Sequence, residues 1–180
     1  SHALDQRRVD GVWFRGAAWT HLTRDHLDYH GDMDSYAAAK RRLFETLLPA
    51  SGGVGFVNAD DGWCRPLVEA GLAEGWTFQR GETQAQHRVS ETCSRRAGVG
   101  WTMRSPGRAK LLVHAGVLGA HNLENLVAAV LLARAAGLSD PEVALGAMSV
   151  AAPPGRLQAV ANRIGALALV DYAHTPDALT

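Results

Sequence analysis

Between residues 12 and 81 short apolar runs alternate with helix-patterned ones, and that alternation leaves the chain few architectures. "VWFRGAAWT" (12–20) is rich in β-branched and aromatic types and reads as a strand. Asp34 to Leu48 reads as a helix with Asp34 as its N-cap. "GVGFVN" (53–58) is a second strand, and "ADDGWCRPLVEAG" (59–71) a loop and helix capped by Asp60 and ended by Gly71. "GWTFQRG" (75–81) is a third strand. Strands that alternate with helices form a parallel sheet with crossover helices. The pattern then changes. "HRVSETCSR", "GVGWTMRS" and "AKLLVHA" repeat with period two around the turn "SPGR" (105–108), which predicts a small antiparallel meander. "AHNLENLVAAVLLARAAG" is a helix apolar nearly all round, closed by Gly137 and therefore buried between layers. "DPEVALGAMSV" starts another helix, with Asp140 as cap and Pro141 at the first position. "LQAVANR" and "ALALVDYAHTP" are further strands, the second a candidate start of a new domain. The predicted class is α/β: a mostly parallel sheet flanked by helices, with a small antiparallel sheet.

Composition removes several functions. With 47% hydrophobic residues among 180, the chain can bury a core and is not disordered. Lys+Arg and Asp+Glu balance at 18 each, so no basic field draws nucleic acid or anionic lipid. The longest apolar run, Leu126 to Ala133, stops at Arg134, far short of a membrane span. Cys64 and Cys93 have no metal-like spacing and fit a reducing cytosol. The first residue is not methionine and the last lie within a strand-to-helix passage, so a fragment of a longer protein is expected.

Lys40 is the residue that fits worst. Tyr36, Lys40, Leu43, Phe44 and Leu47 share one helix face, while Arg41, Arg42 and Glu45 lie on the other. An ammonium on an apolar face either snorkels outward along its stem or is desolvated into a neutral, reactive amine. The turn before it, "RDHLDYHGD", offers Asp25, His26, Asp28 and His30 either as ligands for a hard metal ion or as ordinary caps and turn residues. "GAHNLENL" sets Asn122 at a helix cap and Asn125 one turn on, where its amide can read the edge of a base. Arg156 in "PPGR" is either a fork for phosphate or a solvated surface arginine. Asp171 and His174 follow an apolar strand, where α/β proteins gather ligand groups.

Taken together, "LTRDHLDYHGDMDSYAAAKRRLF", "VNADD", "LGAHNLENLVAAV", "PPGR" and "VDYAHTPDAL" resemble the Mur ligases in order and spacing. Within that family the resemblance is to the member that adds the third residue of the peptidoglycan stem peptide. It implies a central ATP-binding domain over residues 1–163 and the start of an amino-acid-binding domain over 164–180. Lys40 then matches a carbamylated lysine and His26 a histidine of the Mg2+ site. Asn122, Asn125, Arg156, Asp171 and His174 match nucleotide-side residues, and Gln6 and Arg8 match contacts to the sugar-peptide substrate. The implied reaction uses ATP and Mg2+ to join a diamino acid, diaminopimelate or lysine, to UDP-MurNAc-L-Ala-D-Glu. The D-glutamate γ-carboxylate takes the γ-phosphoryl group as an acyl phosphate, which the amine then displaces. The resemblance implies a cytoplasmic monomer without nucleic-acid or membrane partners.

The sequence departs from the family in several places. No G-x-x-x-x-G-K-[ST] loop is present, nor an acidic residue before "SHAL", nor most of a C-terminal domain, so the chain alone is expected to be inactive. His21 stands where asparagine is usual and Gln158 where glutamate is common. Three rival readings remain: another ligase of the superfamily such as a folylpolyglutamate synthase, a non-catalytic homologue serving as a binding module, and an unrelated histidine/aspartate metallohydrolase.

Overall fold

The computed structural model describes residues 1–79, 84–95, 98–161, 163–164 and 166–173. A six-stranded sheet runs in chain order: β1 (Gly16–Trp19), β2 (Val54–Asn58), β3 (Glu74–Thr77), β4 (His87–Arg95), β5 (Gly98–Arg104) and β6 (Leu111–Ala115). The first three pairings are parallel and the last two antiparallel. The expected meander is therefore no separate sheet. It extends the parallel one, because Trp76 and Thr77 of β3 align with His87 and Arg88 of β4. A second, two-stranded antiparallel sheet joins β7 (Gln158–Val160) to β8 (Ala168–Val170).

Helices cover both faces. Between β1 and β2 run α2 (Leu27–His30), α3 (Met33–Arg42), a π-helical turn (Leu43–Leu47) and α4 (Leu48–Ala50), while α5 (Arg65–Glu69) joins β2 to β3. All but α2 contribute to one core, with Trp19, Tyr36, Phe44, Val57 and Leu67. On the other face α6 (Ala120–Ala135) and α7 (Asp140–Met148) pack on Phe56, Trp76, Trp101 and Val113. Strand β2 sends Phe56 to one core and Val57 to the other, so it reads as a continuous apolar run. In β6 burial alternates strictly, because only one of its faces is covered. Together these elements are the predicted α/β class. A short helix, α1 (His2–Asp5), lies on α3, where Arg42 donates to the Leu4 carbonyl at 3.1 Å and pairs with Asp10 at 2.7 Å.

The π turn has a local cause. Pro49 lacks an N–H and its ring needs room at the carbonyl four residues back. The chain widens just before it, and the Leu48 N–H reaches back five residues to Leu43. Gly55 of β2 lets Phe44 approach, since a β-carbon there would lie 2.8 Å from the Phe44 ring.

Helix starts differ from expectation by small steps. Asp32, not Asp34, caps α3 and accepts from the Ser35 N–H at 2.7 Å. Ser139 caps α7 in a reciprocal box with Glu142, which leaves Asp140 inside the first turn and Pro141 second. Gly119 precedes α6, so Asn122 is no cap. Asp60 caps nothing either. It accepts from the Thr77 hydroxyl and the Phe78 N–H, pinning the end of β3.

Candidate functional site

The carboxyl ends of the parallel strands gather most of the residues singled out from sequence. The loop leaving β1 is held down by Asp61, whose Oδ2 accepts from the Leu22 N–H at 3.1 Å. Its Oδ1 accepts from the N–H groups of Trp63 and Cys64, which starts the descent into α5. One carboxylate thus ties the loop after β1 to the loop after β2. Sequence reasoning chose Asp60 and missed Asp61, which holds the turn ahead of α5, whose N-cap is Cys64. The Asp61-Gly62 pair, a turn signal, was the clue available.

Beyond Leu22 the chain reaches His26, which adopts a left-handed conformation with φ 56° and begins α2. Few non-glycine residues do so, and they concentrate at functional turns. Asp25 accepts from the His26 N–H at 2.8 Å, and its carboxylate also lies 3.5 Å from Nδ1. A carboxylate beside Nδ1 favours the proton there and leaves Nε2 open as a ligand. The wider set weighed from sequence does not assemble. His30 stacks on Tyr36 at 4.9 Å and meets the Ser1 hydroxyl at 2.9 Å, while Asp28 stays exposed. Among the described residues no three His, Cys, Asp or Glu side chains converge as a metal cage.

Lys40 points into this corner. Tyr36, Phe44 and Leu47 on its face are buried, and its ammonium lies 5.3 Å from the Tyr36 ring and 5.8 Å from Trp19. Burial lowers its pKa, opposed by negative charge at Cys64 and Asp25. The Cys64 thiol is itself pushed far up by burial, so at neutral pH the opposing charge is Asp25 alone. Lysine therefore sits here partly desolvated, beside two rings and one carboxylate. Gln6 and Arg8, both exposed, leave α1 on the adjacent turn, where Tyr29 donates to Asp5 at 2.8 Å and its ring meets His2 at 4.2 Å.

A second group lies at the start of α6. The Asn122 amide donates to the Leu118 carbonyl at 2.7 Å, so this buried side chain fixes the turn into the helix. Asn125 is exposed one turn on. Gly119 (φ +93°) admits Leu157 of the Gly/Pro loop, whose Cδ1 would collide with any β-carbon there. Asp171 accepts from the N–H groups of Leu157 and Ala173, each at 2.8 Å, and Tyr172 bonds back to Gly155. Those two N–H groups lower the Asp171 pKa, helped by the charges of His121 and Arg156. Arg156, Asp171 and the start of α6 thus share one corner, with Arg156 exposed. His174 lies outside the described residues. The two groups are joined by His21, which leaves β1 and pairs with Glu124 of α6 at 3.4 Å. That bond to Glu124 raises the His21 pKa.

Residues 1–133 match the family described as the Mur ligase middle domain. The chain belongs to the Mur ligase family. It is 41% identical over 184 residues to the UDP-N-acetylmuramoyl-L-alanyl-D-glutamate–2,6-diaminopimelate ligase of Geobacter sulfurreducens, covering 99% of this chain and 36% of that protein. The enzyme of the same name from Parasynechococcus marenigrum is 42% identical over 187 residues, with 99% and 37% covered. A solved structure of a ligase of that name superposes with a TM-score of 0.81 at 31% identity, over 99% of this chain and 36% of the other. This Mur ligase chain thus spans little more than a third of the length of the relatives it matches. Among its described residues no helix is long and apolar enough to cross a membrane.

Proposed function

We propose that the chain is the central part of an ATP-dependent ligase of peptidoglycan precursor synthesis. The parent joins diaminopimelate or lysine to UDP-MurNAc-L-Ala-D-Glu, acting in the cytoplasm as a monomer. Residues 1–163 belong to the ATP-binding domain and 164–180 begin the amino-acid-binding domain. One observation carries this reading: the desolvated amine of Lys40 and the left-handed His26 lie at the carboxyl edge of the sheet, bridged through His21–Glu124 to the start of α6. Relatives at about 40% identity named as that ligase support it.

The donor set also suits a magnesium ion, which is held by one or two protein groups while phosphates and water complete the shell. His26 Nε2 and a Lys40 carbamate would be those groups. The ion would neutralise charge on the phosphates during transfer. The chain's own residues do the rest. A neutral Lys40 amine adds to carbon dioxide and loses a proton, which converts a cationic side chain into an acidic one. Trp19 and Tyr36 then fix its stem. In this reading Asn125 would serve the adenine, Asp171 the ribose and Arg156 the phosphates, with His174 in the same nucleotide-side motif as Asp171. Gln6 and Arg8 face the sugar-peptide. Phosphoryl transfer of this kind depends on positioning and charge neutralisation more than on covalent help from the protein.

The test is nuclear magnetic resonance of the parent enzyme in 13C-bicarbonate. A carbamate resonance that disappears in Lys40→Met, together with loss of diaminopimelate-dependent phosphate release, is expected. Full activity in Lys40→Met would overturn the assignment, and turnover by the isolated 180-residue chain would overturn the expectation that it is inactive alone.

A further inference from the structure

At the opposite, amino-terminal edge of the parallel strands, residues with no part in the ligase reading build a second constellation. Glu74 and His87 open β3 and β4, and Ser105 follows β5. The Glu74 carboxylate meets His87 Nε2 at 2.8 Å, and His87 Nδ1 meets the Ser105 hydroxyl at 3.0 Å. Arg134 of α6 donates from Nη1 to the same hydroxyl oxygen at 2.9 Å and from Nε to Asp140 at 2.8 Å. All of these except Asp140 line one cavity of about 550 Å3, whose apolar wall includes Phe56, Pro106 and Leu131. That is the size of a small-molecule site.

We propose that Glu74, His87 and Ser105 form an acyl-transfer site that hydrolyses small carboxylic esters, with Ser105 as nucleophile. The hydrogen-bond directions are fixed by elimination. Glu74, as a carboxylate, only accepts, so His87 carries its proton on Nε2 and presents the Nδ1 lone pair to the serine O–H. The serine oxygen receives an Arg134 N–H, which stabilises the negative charge it gains as its proton leaves. Ser105 Oγ adds to the ester carbonyl while its proton passes to Nδ1. The tetrahedral adduct expels the alcohol, which takes that proton. Water then enters, gives a proton to Nδ1 and attacks the acyl-serine, releasing the acid and restoring the hydroxyl. Arg108 lines the same cavity, half-exposed, its guanidinium held among the described residues by a 3.4 Å bond to Asp140, and serves as donor to the oxyanion.

Two further features favour a site over a structural tie. Arg134 is 8% exposed, yet its Nη2 is buried without a protein acceptor among the described residues, so the network is not closed. Burial also lowers the His87 pKa, opposed by Glu74 and reinforced by Arg134 and Arg108. The 2.8 Å carboxylate contact pulls the other way, but a ring 6% exposed beside two guanidinium groups stays neutral at pH 7 and can act as a base.

The experiment treats the 180-residue chain with a fluorophosphonate probe and with p-nitrophenyl acetate. A single phosphonyl adduct mapped to Ser105 is expected, with ester turnover lost in Ser105→Ala. His87→Gln should reduce turnover by about 10²–10⁴-fold. Glu74→Gln, at a half-exposed position, should move the midpoint of the pH–rate profile downward, which a merely structural carboxylate would not do. Absence of a Ser105 adduct on folded protein at pH 8, or turnover that survives Ser105→Ala, would overturn the proposal. If Ser105→Ala fails to fold, the site of the adduct on the unsubstituted chain decides.

Discussion

Replacing Asp61 with alanine isolates the tie between the two loops that carry the site. Two backbone N–H groups lose their acceptor, Leu22 at 3.1 Å and Trp63 at 2.8 Å, and Cys64 loses one at 3.2 Å while keeping the Asp61 main-chain carbonyl at 3.2 Å. The last two behave as a turn cap, whose loss costs about 1 kcal/mol. The Leu22 N–H belongs to a buried residue, and an unsatisfied buried donor costs about 1–3 kcal/mol. The total is about 2–4 kcal/mol, or a fall in melting temperature of roughly 4–16 °C for a chain of this size. Asp61→Asn separates the contributions. Its one carbonyl oxygen can serve Trp63 and Cys64, while its amide faces the Leu22 N–H donor to donor, so about half of the loss should remain. Urea denaturation of the three proteins measures this, with the midpoint moving and the slope unchanged. A loss below about 1 kcal/mol in Asp61→Ala, or an asparagine variant as stable as the original, would show that the carboxylate does not hold the loops together.

Gly119→Ala should cost about 1–3 kcal/mol, because φ +93° excludes a β-carbon and Leu157 occupies its place; calorimetry gives the cost, and weaker binding of a nucleotide analogue to the parent reports displacement of the Arg156 loop. The His21 pKa is raised in the folded chain, so its bond to Glu124 stabilises fully below about pH 6.5 and is lost as pH rises through the folded value. An imidazole titration by nuclear magnetic resonance should show that midpoint above the ordinary one, and Glu124→Gln should lower it. The Lys40 pKa is depressed, so the cost of burying its charge persists below the folded value and fades as pH climbs towards that of free lysine. Stability measured at pH 7 and pH 10 should therefore rise less in Lys40→Met than in the unsubstituted chain.

The α/β alternation, the apolar α6 and the awkward position of Lys40 were all legible in the sequence, because each rests on a period within one element. The misplaced helix starts have a common origin. Asp32 and Asp34, and Ser139 and Asp140, are nearby residues equally able to cap, and only the backbone angles choose between them; Asp60 and Asp61 likewise compete to hold the turn ahead of α5. The junction of the meander with the parallel sheet was hidden, since it rests on the alignment of Trp76 and Thr77 with His87 and Arg88. Of the candidate site, the motifs supplied the candidate residues, while the bridge from His21 to Glu124 spans about a hundred positions and leaves no local trace. The chain from Glu74 through His87 and Ser105 to Arg134 is equally non-local.

The π turn at Leu43–Leu47 bears on how this domain tolerates insertion and deletion. A π turn is an α turn with one residue added, and one residue is about 100° of helix rotation. Here the added residue is absorbed after Lys40 and before Pro49, within a single turn. Lys40 keeps the α phase set by Asp32 and stays against Tyr36 and Trp19, whatever rotation the downstream segment needs to seat Leu48 on β2. A change of length by one residue in this turn is thereby isolated from the Lys40 amine and the two rings it lies against.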